Sequence, residues 1–495
     1  MQTTSEVDPL LPRSPPFDLV APESGQQLEH SRRGIDFPLA LAVLRDSIPV
    51  ILSYILQNSI QTTSILISGR LGPDELSVSA FAQMLAFVTG WCVALGGTTA
   101  LDTLGSQAYT GGQVTALSIH FQRCVVILWV LFIPVAAGWW FMGPILVALG
   151  QSTSLSYNVQ TFLRILIAGA PGYIGFESLK KYLQCQGIMD ASTRVLVVVF
   201  PVNIASNIYF VHRTSLGVFG APVAVSLTFW LCFLLLGLWT WTSTQHAANG
   251  TWAGFQPAVV FNPKSCYGFI KLAIPGILMV ATEWIAFEIV ALAAGRLGEL
   301  PLAAQSVIMT TDQILNTIPF GIGVAASARV GNLIGARSPV GAKHAAHSAA
   351  LVSVVVGMVV LITMVVTKDV YGYIFSDDIE VVKLVAAVMP LVASFQVADG
   401  LAGSCGGVLR GQGRQHLGAL FNCVAYYVLA LPLGLTLAFQ TTMGLRGLWT
   451  GQVVGLFLVG LGELYVVMRS NWEMEVRRGI ERNEREAKER QRRES

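Results

Sequence analysis

Long apolar stretches recur along almost the whole chain, separated by short polar connections that contain glycine or proline. A helix needs roughly 20 mostly apolar residues to cross the hydrocarbon of a bilayer. Twelve stretches meet this requirement, near residues 40–66, 77–103, 118–141, 158–179, 188–211, 217–241, 266–292, 303–327, 346–366, 382–405, 413–439 and 446–468. The pattern predicts an all-α integral membrane protein with about twelve transmembrane helices.

The second half of the chain repeats short motifs of the first half at a nearly constant separation. The repeats, each 226 residues apart, are Ile48-Pro49 with Ile274-Pro275, Gly69-Arg70-Leu71-Gly72 with Gly295-Arg296-Leu297-Gly298, and Gln186-Gly187 with Gln412-Gly413. A duplicated unit of about six spans returns the chain to its starting side, so an axis along the membrane normal relates the halves. Transporters use this architecture, with the substrate site between the halves. A duplicated scaffold, channel or receptor is the alternative.

The repeat divides the chain into two pseudo-symmetric six-helix lobes with polar tails. The expected boundaries are an N-terminal tail (1–37), a first lobe (38–241), a linker (242–263), a second lobe (264–469) and a charged C-terminal tail (470–495). Lys and Arg are more frequent in the connections on the side of the two tails, which places both termini in the cytoplasm. The sequon Asn249-Gly250-Thr251 lies on that side and is expected to be unmodified.

Composition excludes most other classes of protein. Only 12% of the residues are charged, about half the share in a soluble domain. A net charge of +2 gives no argument for a nucleic acid partner. The seven cysteines have no metal-ligand spacing. The sequence contains neither a nucleotide-binding loop nor a nucleophile pattern. We therefore predict no enzyme activity, no metal and no cofactor.

Three of the acidic residues inside the predicted spans of the second half stand out. They are Glu283 and Glu288 in the first span of that half and Asp399 in its fourth. The repeat places Gln57 opposite Glu283 and Tyr173 opposite Asp399, so the first half lacks these acids. Because a charge in hydrocarbon is costly, an asymmetry of this kind points to function.

These carboxyl groups can bind either a proton or a cation. A carboxyl group held away from water and beside other carboxyls binds a proton more readily than one in water. No Lys or Arg is predicted at the same depth to balance them. We therefore predict Glu283, Glu288 and Asp399 as proton- or substrate-binding residues. Glu288 follows Glu283 by five positions, roughly 140° around the helix, so only one of the two points squarely into a given cavity.

Other polar and aromatic residues in the spans are weaker candidates. Possible substrate-lining residues are Gln57, Asn58, Trp284, Thr310, Asp312 and Tyr426. Aromatic faces can bind a cation, although lipid-facing packing is the alternative for such residues. Glu177 precedes Lys180 and is expected to form an ion pair on the helix surface. Glu463 lies near a span end, where snorkelling or a polar contact between helices is expected.

Several blocks of sequence resemble the multidrug and toxic compound extrusion (MATE) family, in its eukaryotic, fungal-like branch. The blocks are GRLGPDELSVSA, ALDTLGSQAYTGG, IKLAIPGILMVATEWIAFE, LAAQSV, IPFGIGVAASARVGNLIGA and GGVLRGQGRQ. The resemblance implies a V-shaped pair of six-helix lobes and export driven by protons. It identifies Glu283 and Glu288 with the paired acids of the family's seventh span, and Asp399 with the acid of its tenth.

Two positions depart from the family pattern. Thr310 stands where animal relatives have an acid, with Asp312 two residues further on. Gln57-Asn58 stand where many prokaryotic relatives have an aspartate in the first span. The second lobe is therefore the expected place of ion coupling.

The sequence thus predicts a proton-coupled antiporter that exports organic cations, xenobiotics or metabolites from the cytoplasm by alternating access, as a monomer among membrane lipids. A lipid or lipid-linked flippase on the same fold is the alternative, and it would need a basic cavity for phosphate.

The segment Glu6-Val7-Asp8-Pro9-Leu10-Leu11 resembles an acidic dileucine signal, which directs membrane proteins to a vacuolar or lysosomal membrane. The plasma membrane is the alternative location.

Overall fold

The structure is a computed structural model that describes residues 37–375 and 377–494. Within these residues all regular secondary structure is helical. Eleven of the described helical segments are long and apolar enough to cross a membrane, and a bent pair makes a twelfth span. The predicted all-α membrane fold is confirmed. The dileucine-like segment 6–11 lies outside the described residues.

The first half of the described chain contains nine helices, which we call the first bundle. They are α1 (Phe37–Gly69), α2 (Pro73–Ala86), α3 (Cys92–Thr110), α4 (Ala116–Trp140), α5 (Met142–Ala148), α6 (Thr153–Ile167), α7 (Ala170–Cys185), α8 (Ala191–Ile208) and α9 (Gly220–Thr242). Two short helices follow in the connection between the halves, α10 (Thr244–Asn249) and α11 (Pro257–Val260).

The second half contains eight membrane helices, which we call the second bundle, and one terminal helix. The second bundle comprises α12 (Pro263–Leu297), α13 (Glu299–Leu315), α14 (Thr317–Gly335), α15 (Pro339–Tyr371), α16 (Ile379–Gln412), α17 (Gln415–Asn422), α18 (Leu431–Gln440) and α19 (Leu445–Met468). The terminal helix is α20 (Trp472–Glu494).

Breaks and π-helical segments divide several spans into two helices. A π-helical segment, Phe87–Trp91, joins α2 to α3, and another, Cys423–Ala430, joins α17 to α18. The fourth predicted span, near 158–179, is the bent pair α6 and α7, whose axes differ by 52°. π-Helical segments are uncommon and occur frequently at functional sites.

Two separate apolar cores hold the helices together. One core draws its buried residues from positions 60 to 273, and the other from positions 286 to 459. A third apolar cluster joins α1 to the second bundle through residues such as Val43 and Ile322. The division between these two cores therefore falls within α12.

The bundles contact each other mainly at the end where α1 begins and α19 ends, which we call the tail face. Near this face Thr110 Oγ1 donates to the carbonyl oxygen of Asn332 at 2.6 Å, and Asn332 Nδ2 donates to the carbonyl oxygen of Cys185 at 3.0 Å. Arg329 of α14 forms an ion pair with Asp46 of α1 at 2.6 Å. Polar bonds of this kind join helices in the absence of a hydrophobic driving force between them.

Helix α20 lies across the tail face and contacts both bundles. It starts directly after α19 of the second bundle, and its Arg482 Nη1 donates to Gln107 Oε1 of α3 at 2.6 Å. Further along, Glu486 lies 3.5 Å from Arg123 of α4. The terminal helix therefore links the two bundles on one side of the membrane region.

Candidate functional site

A cavity lies inside the second bundle, among α12, α14, α16, α17, α19 and the π-helical segment Cys423–Ala430, with an empty space of about 550 Å³ that includes its opening to solvent. Its polar and charged lining comprises Glu283, Asn316, Asp399, Arg410, Asn422 and Glu463. Its aromatic lining comprises Trp284, Phe320 and Tyr426. Acidic and aromatic side chains together form a surface suited to an organic cation.

Two of the acids predicted from the sequence, Glu283 and Asp399, line this one cavity. Asp399 is 3% exposed and accepts hydrogen bonds from Asn316 Nδ2 at 3.3 and 3.5 Å. Trp284 and Tyr426, also predicted from the sequence, line the same space. The ring of Trp284 packs edge-on against Phe87 of the first bundle, with 4.7 Å between the ring centroids. The cavity therefore lies beside the contact between the bundles.

A third acid, Glu463, corrects the sequence prediction. It was expected to snorkel or to make a polar contact between helices, but its side chain is fully buried and lines the cavity. Neither carboxylate oxygen has a hydrogen-bond partner among the described residues. Glycines at positions 406 and 418 leave the room that its carboxyl group occupies, since a Cβ atom at either position would lie 3.0–3.1 Å from it.

A cation also lines the cavity, contrary to the prediction that none would lie at this depth. Arg410 lies beyond the end of the predicted span 382–405, but α16 continues to Gln412 and buries Arg410 to 5% exposure. Its Nε lies 3.6 Å from Asp102 Oδ2 of α3 in the first bundle. Asp102 also binds Lys181 Nζ of α7, at 3.0 and 3.2 Å.

Five predicted candidates lie outside the cavity lining, and one of them, Gln57, lies in the first bundle. Glu288 is partly buried further along α12, in agreement with the expected angle between it and Glu283. Asp312 is buried on α13 and lies 3.5 Å from Gln396 Nε2, which donates to it. Thr310 is exposed and donates to the carbonyl oxygen of Ser306, and Asn58 is partly buried on α1.

Gln57 belongs to a buried hydrogen-bond network in the first bundle. Its Nε2 donates to Tyr173 OH at 3.2 Å and to Glu177 Oε1 at 2.7 Å, and its Oε1 accepts from Lys180 Nζ at 3.0 Å. Glu177 and Lys180 form an ion pair at 2.8 Å, as predicted, but both side chains are buried. The expected position of this pair on the helix surface is therefore wrong.

The repeat explains why the two bundles differ at this depth. Gln57 and Tyr173 are the counterparts of Glu283 and Asp399, and they touch each other directly. Glu177 and Lys180 correspond, 226 residues later, to Gly403 and Gly406, which lie beside the cavity. Large paired side chains thus fill the first bundle where glycines leave space in the second.

Sequence reasoning missed four charged or polar residues in or near the cavity: Asp102, Arg410, Asn316 and Asn422. Asp102 lies in the block ALDTLGSQ, inside a predicted span, and an acid at that depth was a usable signal. Arg410 gave no such signal because the predicted span ended five residues before it. Asn316 is an uncharged residue at the break between α13 and α14, and sequence patterns do not mark such breaks.

The helical spans and the buried polar cavity define a multi-pass membrane transporter. The MatE family model matches residues 49–209 and 275–436, two segments that begin 226 residues apart. The chain belongs to this family, the multidrug and toxin extrusion transporters, and is a transporter and not an enzyme.

Individual relatives and one solved structure agree with this assignment. An uncharacterised transporter of Schizosaccharomyces pombe is 35% identical over 87% of this chain and 79% of its own length. Human multidrug and toxin extrusion protein 1 is 33% identical over 86% of this chain and 74% of its own. The crystal structure of the eukaryotic MATE transporter AtDTX14 is 30% identical, with a TM-score of 0.83 over 90% of this chain and all of that one.

Proposed function

We propose that the protein is a proton-coupled antiporter that exports organic cations, xenobiotics or metabolites by alternating access. The observation that carries this proposal is the position of Glu283 and Asp399 in one buried cavity with aromatic walls. A carboxyl group in such a place is neutral when it holds a proton and attracts a cation when it does not. Competition between proton and substrate for the same carboxyl groups gives an antiporter.

Each lining residue has a defined part in this exchange. Glu283 and Asp399 bind either the proton or the cationic group of the substrate. Asn316 orients the Asp399 carboxyl through its amide hydrogen bonds. Trp284 and Tyr426 offer flat faces to the apolar part of the substrate. Glu288 and Asp312 lie outside the cavity, on α12 and α13, and have a secondary part in binding the proton or the substrate.

Alternating access requires two lobes that separate on either side of the membrane. We propose that the first and second bundles are these lobes, with boundaries at 38–241 and 264–469, and that the tail face is cytoplasmic. The excess of Lys and Arg near this face supports the orientation. Contacts between the bundles at the tail face support an outward-facing state, in which the cytoplasmic route is closed.

A lipid or lipid-linked flippase is the second candidate for this fold. A lipid phosphate needs several cationic groups around it. The cavity instead has three carboxyl groups and one guanidinium, and that guanidinium is close to Asp102. This charge balance favours an organic cation over a phosphate.

Transport by the full chain in proteoliposomes tests the proposal. Vesicles with an imposed pH gradient receive radiolabelled tetraethylammonium as the probe, and uptake is followed together with proton flux. We expect Glu283→Gln and Asp399→Asn each to lower proton-driven uptake at least about tenfold, and Glu288→Gln to lower it less. The matched control is Glu299→Gln, a surface acid at the start of α13.

Two outcomes of this experiment decide whether the protein is a proton-coupled antiporter. Loss of uptake and proton flux in both cavity variants, with normal size-exclusion profiles and an unaffected control, supports the proposal. Normal proton exchange in both variants contradicts it.

The membrane and the oligomeric state are part of the proposal. We propose a vacuolar or lysosomal membrane, with the plasma membrane as the alternative, and transport by a single chain. A fluorescent fusion compared with its Leu10→Ala/Leu11→Ala variant checks the location. Redistribution to the cell surface in that variant is the expected result.

A further inference from the structure

Arg410 touches both the cavity and the contact between the bundles. It lies two residues before the end of α16 and lines the cavity together with Glu283, Asp399 and Glu463. Its Nε also lies 3.6 Å from Asp102, which belongs to α3 of the first bundle. A single guanidinium group therefore connects the proposed proton-binding carboxyls to the partner bundle.

The helix end around Arg410 is attached to α3 by further hydrogen bonds. The hydroxyl of Thr103 donates to the carbonyl oxygen of Arg410, and Gln107 Nε2 donates to the carbonyl oxygen of Gly411 at 2.8 Å. These bonds satisfy carbonyl oxygens that the last turn of a helix leaves without partners. The end of α16 is therefore part of the closed tail face.

Two cations, one from each bundle, share Asp102. Lys181 of the first bundle binds both carboxylate oxygens at 3.0 and 3.2 Å, and Arg410 of the second bundle approaches one of them. Asp102 is 1% exposed, Lys181 2% and Arg410 5%, so solvent screens these charges little. One carboxylate between two buried cations leaves one positive charge to be balanced from elsewhere.

The cavity acids line the same cavity as Arg410 and can balance that charge. The neighbouring pairs Glu177–Lys180 and Asp46–Arg329 are each neutral within themselves. The titratable and charged groups on the elements around Arg410 are Tyr54 (α1), Asp102 (α3), Lys181 (α7), Glu283 (α12), Arg329 (α14), Asp399 (α16), Tyr426 (in the π-helical segment) and Glu463 (α19). Of these, Glu283, Asp399 and Glu463 are the carboxyls that carry no ion pair among the described residues.

We propose that Lys181, Asp102 and Arg410 form a charge-controlled latch that joins the two bundles at the tail face. When the cavity is empty and one of its acids is ionised, that carboxylate balances the extra cation and the latch holds. When the cavity takes up protons or a cationic substrate, Lys181 and Arg410 have only Asp102 between them. The excess positive charge is then buried with no carboxylate to balance it, and separation of the bundles, which lets water reach this charge, becomes favourable.

This rule would give the coupling that an antiporter needs. The empty, ionised protein stays closed at the tail face, so it does not open to the cytoplasm without cargo. The protein loaded with protons or with a cation can open there. The inference rests on the proposed antiport, because it assigns to the same cavity a control over access.

Distance measurements between the bundles test the latch. Spin labels at Arg194→Cys, at the start of α8, and Ala336→Cys, at the end of α14, lie on exposed positions of opposite bundles near the tail face. The labelled full chain, with its seven native cysteines replaced, is studied in lipid nanodiscs at pH 8 and at pH 5. For the otherwise unchanged protein we expect the ratio of short to long distances to fall at least about tenfold at the lower pH.

Removing either cation should abolish the change of the distance ratio with pH, because Asp102 then balances the remaining cation by itself. In Arg410→Met the pair Lys181–Asp102 is balanced at every pH, and in Lys181→Met the pair Asp102–Arg410 is balanced. We expect the distance ratio in both to change less than about twofold between the two pH values. Arg410→Lys keeps the charge and should keep the response. Arg329→Met breaks the ion pair with Asp46 and should lower the ratio of short to long distances at both pH values. That ratio should still fall between pH 8 and pH 5.

The two cation variants make the test decisive even when one of them does not fold. A response like that of the unsubstituted protein in a folded Arg410→Met or Lys181→Met variant overturns the latch, as does a distance ratio that is the same at both pH values before substitution. Proton-driven uptake of tetraethylammonium, measured in parallel, separates the two proposals. Normal uptake with an unchanged distance ratio rejects the latch alone, and absent proton-driven uptake rejects the antiport.

Discussion

Buried ionisable residues in this protein fall into two kinds. Glu177 and Lys180 pair with each other inside the first bundle, and the Lys180 ammonium also lies 4.0 Å from the centroid of the Tyr54 ring. Glu283 and Glu463 line a cavity and make no ion pair among the described residues. Paired charges of the first kind hold a structure, whereas unpaired carboxyls of the second kind can change their charge.

This difference predicts that replacing Glu by Gln has different effects on stability at the two kinds of site. Glu177→Gln leaves Lys180 as an uncompensated buried cation, and we expect it to destabilise the protein by about 3–5 kcal/mol. Glu283→Gln removes a carboxyl that has no cation bound to it, so thermal stability should change little while transport is lost. Thermal unfolding of both variants in the same detergent checks the prediction.

A double substitution controls for effects of shape. Glu177→Gln/Lys180→Met removes both charges, and we expect it to be more stable than Glu177→Gln alone. Equal melting temperatures for Glu177→Gln and Glu283→Gln would contradict the distinction between paired and unpaired acids.

The sequence predicted part of this residue-scale arrangement. The acids Glu283 and Asp399 were found because a charge inside an apolar span is rare and costly. Arg410 was not found, since the apolar pattern fades before α16 ends and the burial of its last turn comes from α3 of the other bundle. Burial that depends on a distant part of the chain leaves no local pattern in the sequence.

At the scale of helices, the spans were predictable and their interruptions were not. Each of the twelve predicted stretches overlaps a described span, because the apolar length needed to cross a membrane is a strong signal. The π-helical segment that carries Tyr426 into the cavity has the same apolar composition as the regular helices beside it. Its extra residue per turn arises from packing and has no compositional sign.

Helix α20 was expected only as a charged tail, and its contacts with both bundles give it a role in closing the tail face. Arg482 donates to Gln107, and the same Gln107 side chain donates to Gly411 of the second bundle. We expect Arg482→Ala to favour the open tail face by about 1 kcal/mol, or about fivefold in the ratio of closed to open molecules. The spin-label pair described above measures this ratio.

The matched control lies five residues earlier on the same helix. Arg477 is exposed, so Arg477→Ala removes an equal charge without the contact to Gln107. We expect that variant to leave the distance ratio unchanged. An equal shift in both variants would show that net charge, and not the bridge to α3, controls the tail face.

At the scale of the whole molecule, the closed tail face depends on glycines where helices of the two bundles meet. Gly335 ends α14 against α3, and a Cβ atom there would lie 2.3 Å from Thr110 Oγ1 and 2.4 Å from the carbonyl oxygen of Gln107. Small residues permit such close approach between membrane helices. Because most of the apolar core of each bundle comes from its own helices, a larger side chain at this position should separate the bundles without unfolding them.

We therefore expect Gly335→Leu to hold the tail face open at every pH and to stop proton-driven uptake, while the protein remains folded. Gly237→Leu is the matched control, because a Cβ atom at that position of α9 meets no atom within 4 Å. The spin-label distances and tetraethylammonium uptake, measured on both variants, check the prediction. A Gly335→Leu protein that still closes at pH 8 would mean that the bundles can meet without this helix contact. Alternating access would then depend on the charges around Asp102 and not on the fit of the helices.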